Sequence, residues 1–261
     1  MPSRTQATDY ATMTKPAISP TSIPSFRPLY LQIKDLLVRS LEGGEWRPGE
    51  AIPSELVLAA RFGVSQGTVR KAIDALAADH LVVRRQGKGT FVATHTEEAQ
   101  SSFRFLRIRQ DEGGSELPAS RLIDVRRGKA SAEVARLLEA KPGDPVIVVR
   151  RVLEWGGRPV IVDDITLPAA LFRGLTRAKL ENYAGSMYGF FETQFGVRML
   201  NAQERIKAVP ADPAIAGVLG VPAGTPLLAV DRVAHTYGGR PVEFRRGLCS
   251  TAGHHYFNLL G

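Results

Sequence analysis

The chain has 261 residues, of which 44% are hydrophobic, and this length and composition favour two globular domains with separate cores. Lys and Arg outnumber Asp and Glu by 34 to 26, a basic balance that favours a polyanionic partner such as DNA. The single cysteine, Cys249, excludes an intrachain disulfide and a cysteine-cluster metal site, as in proteins of the reducing cytoplasm. Because no apolar run reaches membrane-spanning length and no signal-peptide pattern is present, we expect a cytoplasmic protein without membrane association.

The N-terminal third of the chain predicts a winged helix-turn-helix. Residues 1–25 are rich in Ser, Thr and Pro and are predicted to be a disordered tail. Apolar residues then recur at helical spacing between residues 28 and 43, and Ser54 and Ser65 are suitable N-caps for two more helices. Segments rich in β-forming residues flank a turn at residues 86–89, which predicts a hairpin. Three helices followed by a hairpin make a winged helix, which we assign to residues 26–94.

The third predicted helix and the hairpin carry side chains suited to DNA. One helix face is apolar, and the other offers groups that can reach base edges and phosphates: Gln66, Thr68, Arg70 and Lys71. The hairpin tip is a tight glycine turn with cations beside it, formed by Arg85, Gly87 and Lys88. Such a tip can enter a minor groove or lie along the phosphate backbone. The pattern therefore predicts a recognition helix and a wing.

The second half of the chain contains an internal repeat. Residues 95–116 are polar and are predicted to be a linker to a second domain at residues 117–261. Within that domain, residues 137–160 are echoed by residues 218–242, at an offset of 81 residues and then 82. Each copy predicts a helix, a Pro/Gly turn and two strands joined by a two-glycine hairpin. We expect the copies to pair into one antiparallel sheet that carries helices, an α+β fold, with a helix at 186–195 and a long strand at 197–209 between them.

Four ordered blocks in the N-terminal domain resemble the GntR family of transcription regulators. They are residues 28–33 (Pro-Leu-Tyr-Leu-Gln-Ile), 48–55 (with Pro-Gly and Ile-Pro-Ser-Glu), 64–70 (Val-Ser-Gln-Gly-Thr-Val-Arg) and 86–92 (Gln-Gly-Lys-Gly-Thr-Phe-Val). The resemblance implies binding to palindromic DNA operators as a homodimer. By position it implies DNA contacts from Ser54, Gln66, Thr68, Arg70 and Gly87. The family often has Arg in place of Gln66, whose amide is better suited to adenine, so the operator sequence stays open.

The C-terminal domain resembles the UTRA domain of the HutC branch of that family, which is related in fold to chorismate lyase. The resemblance is carried by residues 149–151, 157–160, 167–168, 186–188 and 239–244. It implies a pocket for a small effector, often an anionic metabolite, lined by Phe103, Arg151, Ser186, Tyr188 and Glu243. Sugar-phosphate sensors of this branch often have a second Arg where this chain has Leu153, so a carboxylate or a more apolar effector is favoured over a phosphate.

Structural roles are open for the same pocket residues. Arg151 could pair with Asp163 or Asp164. Glu243 could pair with Arg245 or Arg246. Tyr188 could be a core aromatic whose hydroxyl is hydrogen-bonded. The sequence therefore leaves both a structural role and effector binding open for each of these residues.

The sequence thus predicts a DNA-binding transcription regulator, a repressor, that responds to a small metabolite. A lyase-like enzyme is the alternative, although the chain shows no paired carboxylates, no Ser/His/Asp order and no phosphate loop. A third hypothesis is a constitutive DNA-binding protein whose second half only dimerises. His254 and His255 do not predict a metal site, because neighbouring histidines on a strand point to opposite faces and no third ligand is evident. No cofactor is expected.

Overall fold

The N-terminal domain consists of three helices and a two-stranded hairpin. A computed structural model of the protein describes residues 27–95, 105–113 and 116–259, so the predicted disordered tail lies outside the described residues. The elements are α1 (Leu29–Glu42), α2 (Glu55–Phe62), α3 (Gln66–Ala78), β1 (Val82–Arg85) and β2 (Gly89–Val92). The hairpin is antiparallel and pairs Arg85 with Gly89. The predicted winged helix is confirmed.

Local capping explains where these helices begin and end. The hydroxyl of Ser54 accepts a hydrogen bond from the backbone N–H of Val57, and Ser65 accepts one from Thr68, so both serines satisfy donors that a helix start leaves open. Gly63 ends α2 in the left-handed conformation at a φ of 63°. The helices bury one shared apolar cluster, to which Leu200 of the C-terminal domain also contributes.

The C-terminal domain is a six-stranded antiparallel sheet with helices packed on it. Its strands are β4 (Ala119–Lys129), β5 (Pro145–Trp155), β6 (Arg158–Pro168), β7 (Asn201–Pro210), β8 (Pro226–His235) and β9 (Pro241–Ser250). Its helices are α4 (Ala132–Leu137), α5 (Arg177–Glu181), α6 (Met187–Phe195) and α7 (Pro213–Leu219). The strand order is β4-β5-β6-β9-β8-β7. Among the described residues, no helix has the length and apolar character needed to cross a membrane.

The two repeat copies form matching halves of this sheet. The first copy comprises α4, β5 and β6, the second comprises α7, β8 and β9, and the copies join where β6 pairs with β9. Strands β4 and β7 are the outer strands, one beside each copy. The predicted antiparallel pairing of the repeats is confirmed. As a consequence, repeat-equivalent residues on the central four strands face the same side of the sheet.

Two segments differ from the expectations. A short strand, β3 (Ile108–Gln110), lies inside the predicted linker and pairs with β10 (His254–Tyr256) at the end of the chain. The predicted long strand at 197–209 was wrong at its start, because β7 begins at Asn201. The preceding residues are held elsewhere: the N–H of Val197 closes the end of α6 by donating to Phe191 O, and Leu200 packs on the winged-helix core.

Candidate DNA-binding surface and effector cavity

One carboxylate, that of Glu55, joins the start of α2 to the exposed face of α3 and to the hairpin. Glu55 Oε2 accepts hydrogen bonds from Arg70 Nε at 3.0 Å and from Gln66 Nε2 at 3.2 Å. Its other oxygen lies 3.2 Å from Arg84 Nη2 on the hairpin, and that nitrogen also donates to Asp74 at 2.7 Å. Burial acts to raise the pKa of Glu55, but the bonds from Arg70 and Gln66 outweigh it and hold the pKa below its ordinary value. Glu55 thus orients two of the predicted DNA-contacting side chains.

The other predicted DNA contacts lie on the same elements. Ser54 and Thr68 occupy the first turns of α2 and α3, and Lys71 is exposed on α3. On the hairpin, the guanidinium of Arg85 lies over the ring of Phe91, 4.7 Å from its centroid. Gly87 holds the hairpin turn at a φ of 69°, beside the exposed Lys88. The residues that sequence reasoning singled out are therefore presented by the recognition helix, the helix before it and the wing.

A cavity of about 460 Å³ lies in the C-terminal domain, between the sheet, helices α5 and α6 and strand β3. Its wall includes apolar side chains from several elements: Leu122, Leu153, Ile161, Met187, Phe190 and Val230. Its charged wall residues are mostly arginines, namely Arg107, Arg121, Arg151, Arg232 and Arg245, against two acids, Asp163 and Glu181. A concave site with apolar walls and a few convergent polar groups is typical of small-molecule binding.

A buried ion network forms the floor of the cavity. Arg151 Nε and Nη2 donate to Asp163 Oδ2 at 3.0 and 2.9 Å, and Arg245 Nη1 donates to the same oxygen at 3.2 Å. Arg245 Nε also donates to Glu243 Oε1 at 2.9 Å, and the Tyr188 hydroxyl donates to that oxygen at 3.1 Å. Burial acts to raise the pKa of Asp163, but Arg245 and Arg151 outweigh it and lower the pKa. Burial also lowers the pKa of Arg151, and the nearby charge of Arg245 lowers it further.

Arg232 connects the floor to Phe105, which lies within the predicted linker. Its Nε donates to Glu204 Oε1 at 2.7 Å, and its Nη2 donates to the carbonyl oxygen of Phe105. The guanidinium lies 5.9 Å from the centroid of the Phe105 ring. Residues 105–108 line the cavity, so the chain that arrives from the DNA-binding domain forms part of the cavity wall.

The opposite face of the same strands carries a balanced set of charges. There Arg150 pairs with Asp164 at 2.7 Å and Arg246 pairs with Asp231 at 2.7 Å. On the cavity face, Arg232 stands directly across from Arg245 in the β8–β9 register. The carboxylates that compensate these two arginines come from other positions, Glu204 and Glu243. With Asp163 they match the three cavity-face arginines, so both faces are balanced in charge, and the cavity face differs in that its pairs are buried.

The predicted effector residues take different positions. Arg151, Ser186 and Tyr188 line the cavity. The Ser186 hydroxyl is also the N-cap of α6, since it accepts a hydrogen bond from the N–H of Gly189 at 3.0 Å. Glu243 has no exposed surface and lies behind Arg245 and Tyr188, and Phe103 lies outside the described residues.

Sequence reasoning missed Asp163, Arg232 and Arg245 as parts of the cavity wall. The repeat contained the signal, because Arg232 follows Arg151 by 81 residues and Arg245 follows Asp163 by 82, which are the two offsets of the repeat. Cys249 also lines the cavity, but burial raises its pKa to about 12. The thiol is therefore protonated at neutral pH and is not a nucleophile.

Fold and site together define a class of protein: a winged helix-turn-helix DNA-binding head joined to a domain with a ligand-sized cavity. Residues 29–92 match the gntR family of bacterial regulatory proteins, and residues 114–254 match the UTRA domain. The chain therefore belongs to the GntR family of transcription regulators, in its UTRA-containing branch. It is a regulator and not an enzyme.

Individual relatives agree with this assignment. An HTH-type transcriptional regulator of Mycobacterium tuberculosis is 32% identical over 75% of this chain and 72% of its own length. The mannosyl-D-glycerate transport/metabolism system repressor MngR of Escherichia coli is 27% identical over 86% of this chain and 92% of its own. The solved ligand-binding domain of a GntR-family regulator from Bordetella bronchiseptica is 47% identical, covers 60% of this chain and 97% of its own, and superposes with a TM-score of 0.58.

Proposed function

We propose that the protein is a homodimeric repressor whose affinity for its operator is controlled by a small carboxylate-bearing metabolite bound in the cavity of the C-terminal domain. The observation that carries this proposal is the arginine-rich floor beneath apolar walls, on the same chain as a winged-helix head. A cavity of about 460 Å³ fits a metabolite of modest size.

The charge balance of the floor favours one carboxylate over a phosphate. The buried arginines Arg151, Arg232 and Arg245 are already opposed by the carboxylates of Asp163, Glu204 and Glu243. A doubly charged phosphate needs more uncompensated positive charge than this set offers. Arg121 can instead bind a single carboxylate. Its present ion pair with Glu154 is exposed, so giving up that pair costs little free energy.

The apolar side chains of the cavity wall indicate the chemistry of the rest of the effector. Leu122, Leu153 and Ile161 offer no hydrogen bonds, so they favour a ligand with a hydrocarbon portion next to its polar groups. The name of the relative MngR refers to mannosyl-D-glycerate, which carries one carboxylate and so supports the anionic part of this description. This makes mannosyl-D-glycerate a suitable first compound to test.

The mechanism follows from two-fold symmetry and linkage. A dimer presents two recognition helices to half-sites about 10 bp apart or a multiple of that distance. Effector binding that favours another arrangement of the heads lowers operator affinity, and a coupling of about 1–3 kcal/mol changes it by about 5- to 150-fold.

Selection of DNA by the full-length protein tests the first half of this proposal. Random duplexes are enriched over several rounds at fixed salt, and the recovered sequence is measured by fluorescence anisotropy. We expect a palindrome bound as a dimer. Failure to enrich any sequence, with the protein shown to be folded by circular dichroism, overturns the proposal.

A further inference from the structure

Helix α6 holds the chain where it leaves the wing. The backbone N–H of His95 donates to Glu192 Oε2 at 2.7 Å, and the hydroxyl of Thr94 donates to the same oxygen at 3.2 Å. The ring Nε2 of His95 lies 2.8 Å from the carbonyl oxygen of Met199, just beyond the helix. His95 is 3% exposed, so this anchor is enclosed by protein. One carboxylate of the sensor domain therefore fixes the exit of the DNA-binding domain.

Arg198 extends the contact to the end of the recognition helix. Its Nη1 and Nη2 donate to the carbonyl oxygens of Leu81 and His80, each at 3.3 Å, and its Nη1 donates to the Tyr237 hydroxyl at 3.2 Å. Leu81 and His80 lie between α3 and β1, two of the elements that carry predicted DNA contacts. A movement of Arg198 is therefore a movement of the joint between recognition helix and wing.

The same helix reaches the effector cavity one turn earlier. Tyr188 lines the cavity four residues before Glu192, which places the two side chains on one face of α6. Its ring contacts two residues of the predicted linker, with ring-centroid distances of 5.9 Å to His95 and 5.5 Å to Phe105. A helix of nine residues thus touches the cavity at one end and the head at the other.

The contact between Glu192 and Arg198 is incompletely satisfied. Glu192 Oε1 and Arg198 Nε lie 3.8 Å apart, and within the described part of the chain neither atom has a hydrogen-bond partner. Burial raises the pKa of Glu192. Buried polar atoms without partners are costly, so an arrangement that gave both atoms a partner would recover free energy. Such an element can be biased by a modest change at either end.

We propose that α6 transmits the state of the cavity to the DNA-binding head, with Glu192 as the positioning residue that holds or releases the His95 anchor. This inference rests on the proposed function, because it assumes that the head binds DNA and that the cavity is the sensor. It assigns the coupling to one helix and one carboxylate. It needs no direct contact between effector and head.

Hydrogen exchange of the full-length protein with and without its selected operator tests this assignment without knowledge of the effector. Linkage is reciprocal, so operator binding at the head has to alter exchange in the peptide that covers residues 186–195. In Glu192→Ala we expect this alteration to be lost. In Glu192→Gln it should persist, because the amide oxygen can still accept the His95 N–H. Thr193→Ala is the matched control, since Thr193 is exposed and its hydroxyl donates within the helix to Gly189 O.

A second variant guards against misfolding of the first. Arg198→Met removes the donors to Leu81 and His80, and it should abolish the operator-dependent change in the same peptide. The proposal is overturned if α6 in the wild type does not respond to the operator, or if folded Glu192→Ala responds as the wild type does. Absence of DNA binding by every variant and the wild type overturns the proposed function instead, and anisotropy on the same samples shows which has failed.

Discussion

The candidate DNA-binding surface and the proposed effector cavity use the same pairing of arginine with carboxylate in opposite surroundings. On the head, Glu55 binds Arg70, whose side chain is 56% exposed. In the cavity, Asp163 binds Arg151, whose side chain is 8% exposed. Exposed pairs contribute about 0–1 kcal/mol and are screened by salt, whereas removal of one partner from a buried pair costs about 3–5 kcal/mol. We therefore expect the arginines of the head to exchange their carboxylates for DNA phosphates, while the floor of the cavity keeps its arrangement.

The largest effect is expected from Asp163→Asn. The substitution removes the negative charge that opposes Arg151 and Arg245, although the amide oxygen can still accept a hydrogen bond, and we expect a loss of about 3–5 kcal/mol in the free energy of unfolding at pH 7. Urea denaturation followed by circular dichroism measures this loss. Asp164→Asn on the outer face is the control and should cost less than about 1 kcal/mol. Equal costs at the two positions would contradict the contrast between exposed and buried pairs.

The cost of Asp163→Asn should also depend on pH. The pKa of Asp163 in the folded protein lies below its unfolded value, so its stabilisation is fully present above the unfolded pKa of about 3.9 and is lost as pH falls through the folded pKa. The difference in unfolding free energy between wild type and variant should therefore shrink below about pH 4. A difference that stays constant between pH 7 and pH 3 would show that the charge of Asp163 is not the cause.

Arg70→Ala should act on DNA affinity and leave stability unchanged. Loss of a guanidinium on the recognition helix is expected to weaken operator binding by about 1–3 kcal/mol, because we propose that Arg70 contacts bases or phosphates. Fluorescence anisotropy on the selected operator measures the change, and thermal unfolding checks the fold. Arg136→Ala, an exposed arginine of α4, is the matched control for loss of one positive charge. Operator affinity equal to that of the wild type would remove Arg70 from the DNA-binding surface.

Ser186→Ala should have a smaller effect on stability. The substitution removes the hydroxyl that accepts from the N–H of Gly189 and caps α6, so we expect a loss of about 1 kcal/mol. Ser186→Thr keeps the acceptor and should retain most of the stability. Urea denaturation of both variants makes the comparison, and a Thr variant as unstable as the Ala variant would argue against a capping role.

The smallest effect is expected from Arg246→Ala on the outer face of the sheet. Its pair with Asp231 is partly exposed, so the loss should be below about 1 kcal/mol and should vanish in about 1 M salt. Thermal unfolding at low and high salt checks this. A loss as large as that of Asp163→Asn would show that exposure does not separate the two faces.

Structural features that depend on residues close together in the chain were predicted correctly from the sequence. The caps at Ser54 and Ser65 depend on neighbouring residues, and both are present in the structure. The pairing of the repeats was also predictable, because two equivalent hairpins can complete one sheet. The winged helix and the antiparallel sheet domain therefore followed from the sequence.

Contacts between distant segments did not follow from the sequence. Strand periodicity gives the face on which a side chain lies but not the partner across the sheet, so Arg151 and Glu243 had both ligand-binding and structural interpretations. In the structure they contact Asp163 and Arg245. The contact between His95 and Glu192 joins residues 97 positions apart and depends on how two domains dock, for which no local pattern exists.

The most direct test of the regulatory account is operator affinity in the presence of small carboxylates. Fluorescence anisotropy of the wild type on its selected operator at fixed salt is measured with mannosyl-D-glycerate and with the small-molecule fraction of cell extract, separated by anion exchange. We expect an anionic fraction to weaken binding by about 5- to 150-fold. Operator affinity that no fraction changes would contradict the account and indicate a DNA-binding protein without a metabolite response.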